Sequence, residues 1–133
     1  MLPGFEKETV ELNDYEKFTL VRILINGLKK KHGKANAVTN KQIVESLKDH
    51  FKISDTRVRK IISYIRANNL LPGLVANSDG YYITKDPHEL SRYIKSLQGR
   101  ENEIRKIREG MVKYLKQITP DYQGNFRFPE MNQ

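Results

Sequence analysis

Between Asp55 and Asn68 the chain carries Arg57, Arg59, Lys60 and Arg66 against one acid, Asp55, a net of +3. The hydroxyls of Thr56, Ser63 and Tyr64 are interleaved among them. Guanidinium groups can pair in two prongs with guanine edges or phosphates, and short hydroxyls can reach bases or phosphate oxygens. The spacing sorts these groups. With Val58, Ile61, Ile62 and Ile65 turned inward, a rotation of about 100° per residue turns Thr56, Lys60, Ser63 and Ala67 outward. Arg57, Arg59 and Tyr64 flank that face, and the small Ser63 and Ala67 allow close approach to a surface. The same charges would also serve a solvated amphipathic helix. Which reading holds depends on the surrounding elements.

A second basic run, Lys29-Lys30-Lys31-His32-Gly33-Lys34, offers Lys30 and Lys31 as phosphate contacts. It also suits the negative end of a helix macrodipole, and both roles can hold at once. Lys41 stands near a helix N-terminus, where exposed amides attract anions. Over the 133 residues, 24 Lys plus Arg face 16 Asp plus Glu, a formal net charge of +8. A basic balance of this size fits a polyanionic partner and also plain solubility.

Catalytic patterns are missing. No cysteine occurs, which excludes disulfides, thiolate metal sites and cysteine nucleophiles. His32, His50 and His88 lack ligand spacing, so no metal site is expected. There is no phosphate loop with a lysine and no serine in a nucleophile elbow. The expectation is a non-enzyme without cofactor or metal. The opening Met1-Leu2-Pro3-Gly4-Phe5-Glu6 lacks the basic and apolar regions of a signal peptide. No run approaches the ~18 apolar residues of a membrane span. A cytoplasmic protein is therefore expected.

The elements that must position the basic residues follow from local signals. Residues 1–12 read as a loose arm. Asn13 or Asp14 caps a first helix, with Tyr15, Phe18, Val21, Ile25 and Leu28 on one face, widened by Leu20, Ile23 and Leu24, ending near Lys31. Thr39-Asn40-Lys41-Gln42 is a capping box, with Val38 and Ile43 as its staple. The helix it opens presents Ile43, Leu47 and Phe51. After a break at Lys52-Ile53, Ser54 caps the basic helix, which ends at Asn68-Asn69 because asparagine tolerates the left-handed conformation. Leu71-Pro72-Gly73 is a turn. Leu74-Val75-Ala76 and Tyr81-Tyr82-Ile83-Thr84 are short strands, joined by Asn77-Ser78-Asp79-Gly80 in a tight hairpin. Asp86-Pro87-His88-Glu89 opens a last helix over about residues 87–118.

The fold class is thus mainly α with a small β-hairpin and an extended C-terminal helix. The order of three helices and a hairpin resembles the winged helix-turn-helix family. The chain is most similar to small winged-helix proteins carried by bacteriophages and prophages. The resemblance covers about residues 38–100. It rests on Ile65-Arg66, on Leu70-Leu71-Pro72-Gly73-Leu74-Val75, on Gly80-Tyr81-Tyr82-Ile83, and on Glu89 through Ser96-Leu97 and Arg100. It implies a winged domain over 13–98, a recognition helix from Asp55 to Asn68 in the DNA major groove, and a wing with Asn77, Ser78 and Gly80 at its tip. Asp79 would repel phosphate, so a short, weakly engaged wing is expected.

In the last helix, Leu90, Leu97, Ile104, Met111 and Ile118 recur every seven residues. Tyr93, Ile107 and Tyr114 take the +3 positions, and Arg100 interrupts them. This is the spacing of a coiled-coil seam. Leu90, Tyr93, Ile94 and Leu97 are expected in the core. Ile104, Ile107, Met111, Tyr114 and Ile118 are expected at a dimer contact. Gly99 or Gly110 could kink the helix. The tail, 119–133, is irregular, and its Tyr122, Phe126 and Phe128 can pack on the body or on a partner.

Together these readings imply sequence-specific binding of double-stranded DNA, as a phage-type transcriptional regulator or a factor acting in DNA replication at an origin. A winged-helix adaptor that docks on protein through the last helix and tail is the alternative. RNA binding would need Tyr81 or Tyr82 as an exposed stacking platform.

Overall fold

The computed structural model describes residues 10–119. The arm before Val10 and the tail aromatics Tyr122, Phe126 and Phe128 lie outside the described residues. The chain divides into two compact units, Met1–Leu90 and Ser91–Gln133.

In the first unit, Asn13 is the cap. Its side-chain oxygen accepts from the Glu16 amide at 2.8 Å, and Glu16 accepts from the Asn13 amide at 3.0 Å. A π-helical turn, Glu16–Leu20, runs into α1 (Val21–Leu28). An extra residue in a turn rotates what precedes it relative to the α-helical period. This corrects the expected face: Glu16 is 5% exposed, whereas Phe18 is 62% exposed and Tyr15 also points to solvent. Leu20, Val21, Leu24 and Leu28 form the inward stripe.

A short 3-10 turn (Lys34–Asn36) leads to α2 (Asn40–Leu47). The Thr39 capping box forms in both directions, at 3.2 and 2.8 Å. Ser54 accepts from the Arg57 amide and starts α3 (Asp55–Ala67). This helix buries Val58, Ile61, Ile62 and Ile65, as their spacing predicts. Asn69 adopts φ 50°, with the Leu70 amide bonded to the Ile65 carbonyl and the Asn69 amide to that of Arg66. Those two bonds satisfy carbonyls that a helix end leaves open.

Strands β1 (Leu74–Asn77) and β2 (Gly80–Ile83) pair antiparallel, Leu74 opposite Ile83 and Asn77 opposite Gly80. The chain between α1 and α2 adds a further row of backbone bonds to β2. Val38 and Tyr81 exchange bonds of 3.0 and 2.8 Å. Ile83 donates to the Lys31 carbonyl and accepts from the Gly33 amide. Gly80 is required there, because it holds φ 117° and a methyl group on it would lie 2.5 Å from the Val38 carbonyl oxygen. The core lies where α1, α2, α3 and the hairpin meet, centred on Leu20, Leu24, Ile61, Ile65, Leu74 and Ile83.

The last helix, α4 (Pro87–Ile118), begins under an Asp86 cap, whose carboxylate accepts from the His88 amide at 3.0 Å. It runs through Gly99 and Gly110 without interruption. No residue of α4 is buried, which corrects the expectation that Leu90, Tyr93, Ile94 and Leu97 are core. Leu90, Ile94 and Leu97 are exposed and Tyr93 is half-buried. The first unit completes its core with α1–α3 and the hairpin, and heptad spacing alone does not distinguish an internal partner from an external one. No helix among the described residues is long and apolar enough to cross a membrane.

Candidate nucleic-acid interface

Helix α3 separates its polar residues into two stripes. Arg57, Lys60 and Tyr64 face the segment that precedes α1. Arg57 donates from Nε and one terminal nitrogen to the two Glu16 carboxylate oxygens, each at 2.7 Å. It also donates to the carbonyls of Val10 and Glu11. Arg57, expected among the DNA contacts, is therefore occupied in an interior clasp. The physical reason is the π-helical turn, which brings Glu16 inward opposite it.

Lys60 pairs with Glu11 at 3.5 Å, but Glu11 is almost fully exposed, so the pair holds the ammonium only weakly. Tyr64 packs its ring on the edge of the core. The Lys17 ammonium stands 5.8 Å from the ring centroid, within cation–π reach.

On the other stripe, Arg59, Ser63 and Ala67 are exposed, and Thr56 and Arg66 are half-buried. Arg66 follows Arg59 by two helical turns and shares its side of the helix. Both cations act on Tyr81. Burial raises the Tyr81 pKa above its usual value, and the charges of Arg59 and Arg66 oppose that rise. The Tyr81 hydroxyl donates to the side-chain oxygen of Asn40, the first residue of α2. Lys41 is the next residue and is exposed. Tyr81 thus links the N-terminus of α2, strand β2 and the basic stripe of α3. Sequence reasoning counted Arg66 as charge without placing it on this side, although its spacing from Arg59 carried that information.

Lys30 and Lys31 are exposed, and the Lys31 carbonyl is bonded to Ile83, two residues along β2 from Tyr81. At the hairpin tip Asn77 and Ser78 are exposed, but Gly80 is buried against Val38 and serves the backbone. Asp79 is paired with Lys34 at 3.4 Å, so the tip is less repulsive to phosphate than its acid alone suggests. Tyr82 is buried and Tyr81 half-buried, so neither presents a stacking platform.

Comparison with known proteins returned no match to a family model, a curated protein or a solved structure.

Proposed function

We propose that this chain is a non-enzymatic, sequence-specific binder of double-stranded DNA of the winged helix-turn-helix type. In this reading α3 is the recognition helix and β1–β2 the wing. The observation that carries it is the exposed basic and hydroxyl stripe of α3, Arg59, Ser63 and Ala67 flanked by the half-buried Thr56 and Arg66. It lies on a helix packed against α1 and α2. Arg59 and Arg66 supply base or phosphate contacts, Thr56 and Ser63 short-range hydrogen bonds, and Ala67 the clearance for close approach. Lys41, Lys30 and Lys31 supply phosphate contacts that orient the domain. The wing contributes little, with Ser78 exposed at its tip and the Asn77 side chain engaged by the Asp79 amide at 2.9 Å. A role as a phage-type transcriptional regulator or a replication-origin factor follows, in the cytoplasm of the cell that holds the DNA.

Fluorescence-anisotropy titration against a mixed-sequence duplex, at low and moderate salt, tests the proposal. Affinity should fall steeply with salt, with a log–log slope of roughly 0.9 per neutralised phosphate. Arg59→Glu combined with Lys60→Glu should abolish binding and leave the fold intact. A folded protein that ignores DNA at low salt would refute the proposal. It would favour the second reading, a protein-docking adaptor, for which the exposed apolar side of α4 is the specific support.

A further inference from the structure

Ile104, Ile107, Met111, Tyr114 and Ile118 are each between 56% and 67% exposed, and they share one side of α4. Seven-residue spacing keeps them in a narrow seam. Continuous apolar surface of this kind is a liability in a monomer and an asset at an interface. We infer that residues 93–118 of α4 pair with the same segment of a second copy of this chain, and that the two helices run antiparallel.

The charges select both the occupant and the direction. In a parallel pair each seam residue faces its own copy, so Arg100 would face Arg100 inside the seam. Like charges so placed oppose assembly. In an antiparallel pair the two seam series face each other. Ile104 then meets Ile107 of the second copy, Leu97 meets Tyr114, and Tyr93 meets Ile118. Arg100 meets Met111, whose unbranched side chain lies along the arginine stem while the guanidinium reaches water.

The flanks agree with this register. Glu101 comes beside Arg108 of the second copy, and symmetry repeats the pair. Ile94 comes beside Leu115, extending the apolar contact. Nearby charges are engaged within the helix, Lys106 with Glu103 at 3.6 Å and Arg105 with Glu109 at 3.9 Å. Glu101 and Arg108 form no ion pair among the described residues. The parallel arrangement would instead place Leu115 beside Gly110 and Ile94 beside Glu89, leaving both aliphatic side chains without an apolar partner.

This pairing does not rest on DNA binding. It sets the Leu90 ends of the two helices about 45 Å apart, at the helical rise of about 1.5 Å per residue.

The test uses the full chain without DNA. Sedimentation equilibrium should show a reversible dimer, and a monomer at every concentration would overturn the inference. The chain has no cysteine of its own, so direction can be read by disulfide trapping. A mixture of Leu97→Cys and Tyr114→Cys chains should form the mixed disulfide on mild oxidation. Self-linking of Leu97→Cys alone would show a parallel dimer and refute the stated direction. Arg108→Glu should weaken the dimer roughly tenfold, since two symmetry-related pairs become repulsive. Adding Glu101→Arg should restore it, and failure of that rescue would refute the register. Far-ultraviolet circular dichroism checks that the variants keep their helix content.

Discussion

Glu16 and Arg57, 41 residues apart in sequence, meet through two hydrogen bonds of 2.7 Å in a largely solvent-excluded pair. Glu16 also closes the Asn13 cap, and Arg57 holds the carbonyls of Val10 and Glu11. One ion pair therefore fixes the start of the first helix, the segment before it and the first turn of α3. Breaking such a pair from one side leaves the other charge poorly solvated. Arg57→Ala should cost about 3 kcal/mol of stability in urea unfolding. The Arg57 hydrogen bonds, assisted by the Asn13 amide and by Coulomb attraction, hold the Glu16 carboxyl below its ordinary 4.5 despite burial. A depressed acid stabilises the fold above its unfolded value and loses that contribution as pH falls through the folded value. Stability should therefore drop as pH goes below about 4.5, and Glu16→Gln should be less stable at neutral pH with a flatter acid limb. An unchanged acid limb in Glu16→Gln would show that the pair is not the acid-sensitive element.

The two stripes of α3 should separate binding from stability. Arg59→Ala removes an exposed cation with no ion-pair partner among the described residues. Its unfolding free energy should stay within about 0.5 kcal/mol of the parent, while DNA affinity drops by about 1–3 kcal/mol. Arg57→Ala should show the reverse order, loss of stability first. Lys30→Ala and Lys31→Ala should weaken binding uniformly across duplex sequences and each lower the salt slope by about 1. Paired urea melts and anisotropy titrations check all four variants. Equal losses of stability in Arg59→Ala and Arg57→Ala would contradict the division.

Local signals in the sequence are legible where a motif lies within a few residues. The Thr39-Gln42 box, the Ser54 cap, the left-handed Asn69 and the four buried residues of α3 all form as their spacing predicts. What escaped depends on long-range geometry. Periodicity assumes α-helical turns, so it put Phe18 inward and had no means of placing Glu16 opposite Arg57. Asn69 announces itself by residue type, whereas the row of bonds from Val38 to Tyr81 has no local signature. The heptads of α4 were legible as a seam, but nothing in them says that Leu90 and Leu97 stay outside the core. On α3, the exposure of Arg59 and Ser63 was visible from the helical wheel. The clasp that holds Arg57 was not, because its partner lies 41 residues away.

Gly80 is where that bridge between distant segments can be cut. Alanine there would have to keep φ 117° and would place its methyl 2.5 Å from the Val38 carbonyl oxygen. Backbone cannot yield as a flexible side chain can, so Gly80→Ala should destabilise the unit by about 1–3 kcal/mol. The loss should be local before it is global. Amide exchange at Val38 and Tyr81, which bond each other, should speed up more than at Ile61 or Ile65. Uniform acceleration across the unit would mean that the row of bonds from residues 31–38 to β2 is not a separate element.

The Glu89 carboxylate organises the base of the hairpin and the start of α4. It accepts from the Tyr82 hydroxyl at 2.7 Å and from the Thr84 hydroxyl at 2.5 Å. The Thr84 oxygen in turn accepts from the Asp86 amide at 3.2 Å. The glutamate thus serves the cap through a threonine relay, where a standard capping box would bond that amide directly. Thr84→Val removes both relay bonds and should cost about 1–3 kcal/mol, because it takes the acceptor from the Asp86 amide and one donor from the Glu89 carboxylate. Tyr82→Phe loses one bond to a charged acceptor, a cost of about 1.5–3 kcal/mol. The Glu89 hydrogen bond, with burial, lifts the Tyr82 hydroxyl above its ordinary 10.0, and burial does the same for Tyr81. A raised value stabilises the fold fully below the unfolded pKa and is lost as pH rises through the folded one. Urea stability should therefore hold up to about pH 10 and decline above it. In Tyr82→Phe the decline should shrink but persist, because Tyr81 still titrates. A Tyr82→Phe protein with the parent's alkaline limb would show that the hydroxyl's link to Glu89 contributes nothing to that pH dependence.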